Sequence, residues 1–282
     1  MLQNKGFCST IAERQLFPGG RNMRIVIKVG TSTLAHAGGR LNIRRVELLC
    51  KVISDLKNAG NQIVLVSSGA IGMGVGKLGL SGRPADMPGK QAAAAVGQCE
   101  LMYTYDKMFA AYSHTVAQIL LTADDIQDSR RSCHAHDSLE QLLQWNVLPI
   151  VNENDAVATD EIGIQTTIGE NDSLSAVVAR LVNADMLILL SDIEGLYTAD
   201  PRKNPEAKLI PVVENITPEI LALAGGTGSA LGSGGMATKL RAAQIATEAG
   251  IDMVITNGEH PQWLYDLFEG KAIGTRFVGK RI

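Results

Sequence analysis

Two short polar clusters, Asn152-Glu153-Asn154-Asp155 and Glu170-Asn171-Asp172, stand at either end of one loop, the first closing an apolar run from Leu148 to Val151. Carboxylates accept hydrogen bonds from an ammonium group, and side-chain amides also donate to carboxylate oxygens, so the pair suits a small zwitterion. The same residues equally suit two solvated turns, with Asn171 to Ser173 capping the helix that follows. Cationic counterparts lie far away in the chain. In "KVGTST", Lys28 precedes Gly30 and the hydroxyls of Thr31, Ser32 and Thr33, a cation beside backbone N–H groups that suits a phosphate. In "LGSGGMATKLRAA", Ser233, Gly234 and Gly235 precede a helix that carries Lys239 in its first turns, a plausible polyphosphate cradle. The order GxxxxGK[ST] is absent, so neither segment is a P-loop. Each alone also reads as an ordinary turn beside a lysine.

Three further segments carry weaker signals. Ser67, Ser68 and Gly69 follow an apolar run and let backbone approach a ligand closely. The GxGxxG from Gly74 to Gly79 starts well past Val66, and no acidic strand end follows about 20 residues later, so a dinucleotide fingerprint is rejected and a flexible loop is expected. Ser191-Asp192 opens "SDIEGLYTADPRKNP", an ordered polar loop that suits a nucleobase and ribose or a long surface connection. The histidines of "HAHD", His134 to Asp137, are two apart on an expected helix and point to different faces, which disfavours a zinc site.

Groups this far apart in sequence converge only if the fold gathers them. Apolar runs at Ile25–Ile27, Ile63–Val66, Val116–Leu121, Val147–Val151, Met186–Leu190 and Met253–Thr256 read as strands. Between them, helical periodicity marks Ile43 to Leu56, Pro88 to Ala111, Ser138 to Trp145, Leu174 to Val182 and Met236 to Ala249. Strands rich in β-branched residues that alternate with helices predict an α/β fold, an open and mostly parallel sheet in a three-layer αβα sandwich. Ligands of such sheets bind beyond the carboxyl ends of the strands, where Lys28, Ser68, Asn152 and Ser191 fall.

With 282 residues, 45% hydrophobic and 20% charged, and a net charge of −3, the chain reads as an ordinary soluble protein without the basic excess of a nucleic-acid binder. No apolar run approaches the roughly 18 residues that cross a bilayer. Cys8, Cys50, Cys99 and Cys133 are far apart, which predicts reduced thiols and a cytoplasmic protein. Residues 1–22 lack periodicity and end in Pro18-Gly19-Gly20, so a disordered extension or a misassigned start is expected, with the folded chain spanning 23–282.

A phosphoryl group in transfer spreads negative charge over its oxygens, and catalysis is mostly positioning and charge stabilisation. Lys28 and Lys239 suit flanking such a group from its two sides. Taken in order, "KVGTS", "VSSGAIGMG", "PIVNENDAVA", "GENDSLSA", "SDIEGLYTADPR" and "GSGGMATKL" closely resemble the glutamate 5-kinase family of the amino acid kinase superfamily, from about Arg24 to Phe277. The resemblance implies transfer from ATP with Mg²⁺ to the γ-carboxylate of L-glutamate, the first step of proline synthesis. It also implies an acceptor half at 23–183 and a nucleotide half at 184–282. Lys28 and Lys239 would stabilise the phosphoryl group and Asp172 would orient them. Ser68, Asn152, Asp155, Glu170 and Asn171 would hold glutamate. Lys28, Gly30, Thr31, Ser191, Asp192 and the run Ser233, Gly234, Gly235, Met236, Ala237, Thr238 and Lys239 would hold ATP, with Mg²⁺ on its phosphates and no dedicated protein metal site.

The resemblance further implies proline as feedback inhibitor and a homo-oligomer. The loop from Ala156 to Gly169 is a few residues longer than in typical members, and Glu170 stands where aspartate is expected. The chain ends without the C-terminal PUA module of many members, so neither nucleic acid nor membrane is an expected partner. Chemistry separates the competing readings. A UMP kinase needs arginines for an acceptor phosphate, and N-acetylglutamate carries no ammonium to repay several carboxylates. Aspartate kinase stays chemically close, and a non-catalytic amino acid or nucleotide sensor would be expected to lose a lysine or Asp172.

Overall fold

The computed structural model describes residues 22–36, 40–157, 171–224 and 235–280. The chain starts on β1 (Arg24–Val29), followed by α1 (Thr31–Leu34), α2 (Ile43–Asn58), β2 (Gln62–Ser67), α3 (Ala70–Leu78) and α4 (Met87–Ala110). β3 (Val116–Leu121), α5 (Ala123–Gln127), α6 (Ser129–Gln144), β4 (Leu148–Glu153) and α7 (Asn171–Leu181) come next. β5 (Met186–Ser191), β6 (Val212–Val213), α8 (Pro218–Ala222), α9 (Met236–Glu248), β7 (Asp252–Asn257), α10 (Trp263–Phe268) and β8 (Thr275–Phe277) complete it. One eight-stranded sheet has the order β3-β4-β2-β1-β5-β7-β8-β6, parallel throughout except where β8 runs against β7.

Strand residues alternate between two cores, as a pleated sheet covered on both faces requires. Val26, Val64, Val66, Leu187, Leu189 and Ile255 enter a cluster with Leu139, Leu143, Leu174, Val178 and Leu240 of α6, α7 and α9. Ile25, Ile27, Ile63, Leu65, Ile188 and Val254 enter the other, with Leu49, Ile53, Leu101, Phe109 and Leu264 of α2, α4 and α10. The expected αβα sandwich is therefore observed. Among the described residues, no helix is long and apolar enough to cross a membrane.

The expected flexible loop at the GxGxxG is wrong. Gly74 and Gly76 lie inside α3, and Gly79 ends it in the left-handed region at φ 65°. Glycine costs about 1 kcal/mol in a helix, and here the loss is offset by close packing on α4. A Cβ on Gly74 would sit 1.8 Å from Ala93 O, and one on Gly97 would sit 1.8 Å from Ala70 O. Gly97→Ala is expected to destabilise the protein by about 1–3 kcal/mol, the usual cost of overpacking, and a denaturant midpoint matching the unaltered protein would contradict this packing. The "HAHD" segment lies on α6, where His136 Nδ1 is 2.7 Å from Leu181 O. Residues 1–21 lie outside the described part, and with them nearly all of the expected extension.

Candidate active site

β1 delivers Lys28 to its carboxyl end, and α9 delivers Lys239 from its first turn; the two meet on one carboxylate. Lys28 Nζ lies 2.6 Å from Asp172 Oδ1, and Lys239 Nζ lies 3.3 Å from Asp172 Oδ2. The Thr238 hydroxyl is 2.8 Å from Asp172 Oδ2 and equally close to Gly235 O. All three charged side chains are buried, with Asp172 only 1% exposed. α7 begins at Asn171 and packs beside α9, which sets this meeting point. Burial alone would push the Asp172 carboxyl up, but the two ammonium groups and the Thr238 hydroxyl outweigh it and hold the carboxyl below the usual range. Two cations against one anion leave the cluster with a formal charge of +1, suited to an incoming anion.

Side-chain amides connect this cluster to the acceptor side. The backbone N–H of Glu153 donates to Asn152 Oδ1 at 2.9 Å, and Asn152 Nδ2 donates to Gln98 Oε1 at 2.8 Å. Asn171 Nδ2 reaches Ser68 Oγ at 2.8 Å, Asn152 Oδ1 at 3.2 Å and Ser67 O at 3.3 Å. Both amide nitrogens thus face protein acceptors, whereas sequence reasoning expected them to donate to substrate carboxylates. Asn152 positions its neighbours. Asn171 keeps its Oδ1 buried without a hydrogen-bond partner among the described residues, an acceptor that suits an ammonium group.

Beyond these amides a cavity of about 300 Å³ is lined by Ala70, Gln98, Gln118, Glu153, Asn154 and Asp155. That is the small end of the range for ligand pockets. Ser68 comes just before Gly69, whose φ of 101° turns the chain sharply into α3. Of the expected acceptor residues, Asp155 lines this cavity, Ser68, Asn152 and Asn171 meet in the amide network that Gln98 joins to it, and Glu170 lies outside the described residues.

Across the sheet, Gly30 caps α1 with no side-chain bond and Thr31 follows, exposed. Gly235 caps α9, and among the described residues no side chain bonds its first N–H groups, so the start of this 13-residue helix suits a phosphate. Met236 is half-buried, Ala237 is exposed, and Ser233 and Gly234 lie outside the described residues. Ser191 is buried at the end of β5, and its hydroxyl donates to Asp192 Oδ1 at 3.1 Å. The loop after it is ordered by a Tyr197–Leu209 bridge and by Leu196 N donating to Thr275 Oγ1 at 2.8 Å.

Gln98 escaped the sequence reading because nothing local distinguishes one polar residue on an alanine-rich helix. Thr238 was expected only as part of the nucleotide run, and its bond to Asp172 needs the tertiary fold to be seen.

Residues 23–257 match the profile described as "Amino acid kinase family". A protein named glutamate 5-kinase from Clostridium perfringens is 54% identical over 258 residues, covering 92% of this chain and 96% of that protein. The glutamate 5-kinase of Clostridium tetani is 56% identical over 253 residues, covering 90% and 93%. Among solved structures, carbamate kinase from Giardia lamblia bound to AMP-PNP superposes with a TM-score of 0.65 at 21% identity, covering 92% of this chain and 99% of that one. Isopentenyl phosphate kinase from T. acidophilum gives 0.61 at 17% identity, covering 90% and 99%. These two likenesses speak to the fold alone.

Proposed function

The chain belongs to the amino acid kinase family, and from that premise we propose that it transfers the γ-phosphoryl group of ATP to the γ-carboxylate of L-glutamate, giving L-glutamyl 5-phosphate. The reaction opens proline synthesis. A carboxylate oxygen of glutamate forms a bond to the γ-phosphorus as the bond to the bridging oxygen breaks, and ADP leaves. No general base is needed, because a carboxyl of pKa about 4.3 is already ionised at neutral pH.

The observation that carries this reading is the sharing of Asp172 by two buried lysines from β1 and α9, beside a cavity lined by Asp155. Lys28 and Lys239 neutralise charge on the transferring group, and Asp172 fixes where they point. Preorganised cations in a dry site cost no reorganisation at the moment of transfer. Gly30, Thr31 and the start of α9 from Gly235 to Lys239 hold the phosphates, while Ser191 and Asp192 face the nucleoside. Both oxygens of Asp172 are engaged by protein donors, so Mg²⁺ would be held through the ATP phosphates and would supply charge screening there. Ser68, Asn171 and Asp155 hold the amino acid, with Asn152 as their support. Residues 23–183 form the acceptor half and 184–282 the nucleotide half. Proline as feedback inhibitor and a homo-oligomer, both on family likeness, and a cytoplasmic location, on the scattered cysteines, complete the reading.

Incubation with ATP, Mg²⁺ and hydroxylamine in parallel samples of glutamate, aspartate and N-acetylglutamate tests the assignment. Hydroxamate should form with glutamate alone. Formation with aspartate alone would instead make the protein an aspartate kinase, and none in any sample would favour a sensor.

A further inference from the structure

Glu153 N–H is a donor and nothing else, so Asn152 must present its oxygen to it. Asn152 therefore presents Nδ2 to Gln98, and Gln98 must present Oε1 in return. The orientation of the Gln98 amide is thus fixed by the backbone two bonds away, and its Nε2 is left on the opposite side. That Nε2 is buried, and among the described residues no acceptor lies within hydrogen-bond reach of it. Gln98 as a whole is 8% exposed and lines the cavity together with Asp155. A buried donor without an acceptor is costly to keep, and such groups in folded proteins call for a specific reason.

We propose that Gln98 is a substrate-binding and specificity residue, its Nε2 donating to the α-carboxylate of the amino acid acceptor. The inference rests on the acceptor-kinase reading above. It names the end of the substrate that Gln98 contacts. The γ-carboxylate must lie at Lys28 and Lys239 to react. Gln98 is set apart from those lysines by the Asn152–Asn171 relay, and the residue is part of the cavity lining on α4. The far end of the substrate carries an ammonium and a carboxylate. Asp155 and Asn171 Oδ1 answer the first, and Gln98 answers the second.

The test compares glutamate with 4-aminobutyrate, which keeps the reacting carboxylate and the amine and lacks the α-carboxylate. Gln98→Glu keeps an oxygen for Asn152 and loses the donor; Gln98→Met loses both. Each variant should lower kcat/KM for glutamate by about 10- to 100-fold, mainly through KM, as expected for one lost bond to a charged group. Values for 4-aminobutyrate should change by less than about three-fold, so the preference for glutamate shrinks. Equal losses on both substrates would mean that Gln98 only supports the fold, and would overturn the proposal. If the variants do not fold, the side-chain amide resonances of Gln98 in the unaltered protein decide the matter. They should shift with glutamate and stay put with 4-aminobutyrate, and an identical response to both would overturn the contact. Failure of the kinase reading shows separately, as an unaltered protein that forms no hydroxamate.

Discussion

Lys239→Ala should turn over at least ~10²-fold more slowly than the unaltered protein, the scale for losing one preorganised charge stabiliser. Lys239 is 4% exposed and shares Asp172 with Lys28, so no solvent molecule easily takes its place. Its charge matters most when negative charge spreads over the transferring group, so kcat should fall much more than KM for glutamate rises. Steady-state rates at saturating ATP and glutamate read this directly. Turnover within a few-fold of normal would remove Lys239 from the reaction.

Asp172→Ala should be costly twice. It removes the anion shared by two buried ammonium groups, and breaking a buried ion pair from one side typically costs about 3–5 kcal/mol. It also releases Lys28 and Lys239 from their orientation, so kcat should fall by a further factor on the order of 10². A bound triphosphate restores negative charge to the same place, so MgATP should raise the variant's denaturant midpoint more than that of the unaltered protein. The pH profile supplies an independent check. The native carboxyl is held below its usual range, so its contribution to stability is fully present above about pH 4 and is lost as pH falls through the native value. The variant should lack that part of the acid limb. A variant as stable as the unaltered protein, with the same acid limb, would show that the shared carboxylate holds nothing in place.

Much of this architecture is legible in the sequence because buried parallel strands leave long β-branched runs. Ile25–Ile27, Ile63–Val66 and Met186–Leu190 all fall within β1, β2 and β5. What escapes is short or glycine-bearing. β8 has only three residues and gains its place by pairing with both β7 and β6, which no local pattern announces. α3 contains Gly72, Gly74 and Gly76, so it reads as a loop until the close face of α4 is known. In the site, Lys28, Asp172 and Lys239 suit phosphoryl chemistry by type, but only ordered motifs and then the fold bring them together. An amide's direction depends on its neighbours, so the protein acceptors that Asn152 and Asn171 find are not legible in the sequence. Glu170, Ser233 and Gly234 lie outside the described residues.

The ladder between β1 and β5 pairs Ile25 with Met186 through Val29 with Leu190, and β1 is paired along its whole length with β2 on the other side. Parting β1 from β5 along that seam would break a continuous row of backbone bonds at the centre of the molecule. Substrate entry and product exit therefore fall to the connections beyond the strand tips. Changes in those connections should alter the rates of entry and exit while the seam keeps the reacting ends in register.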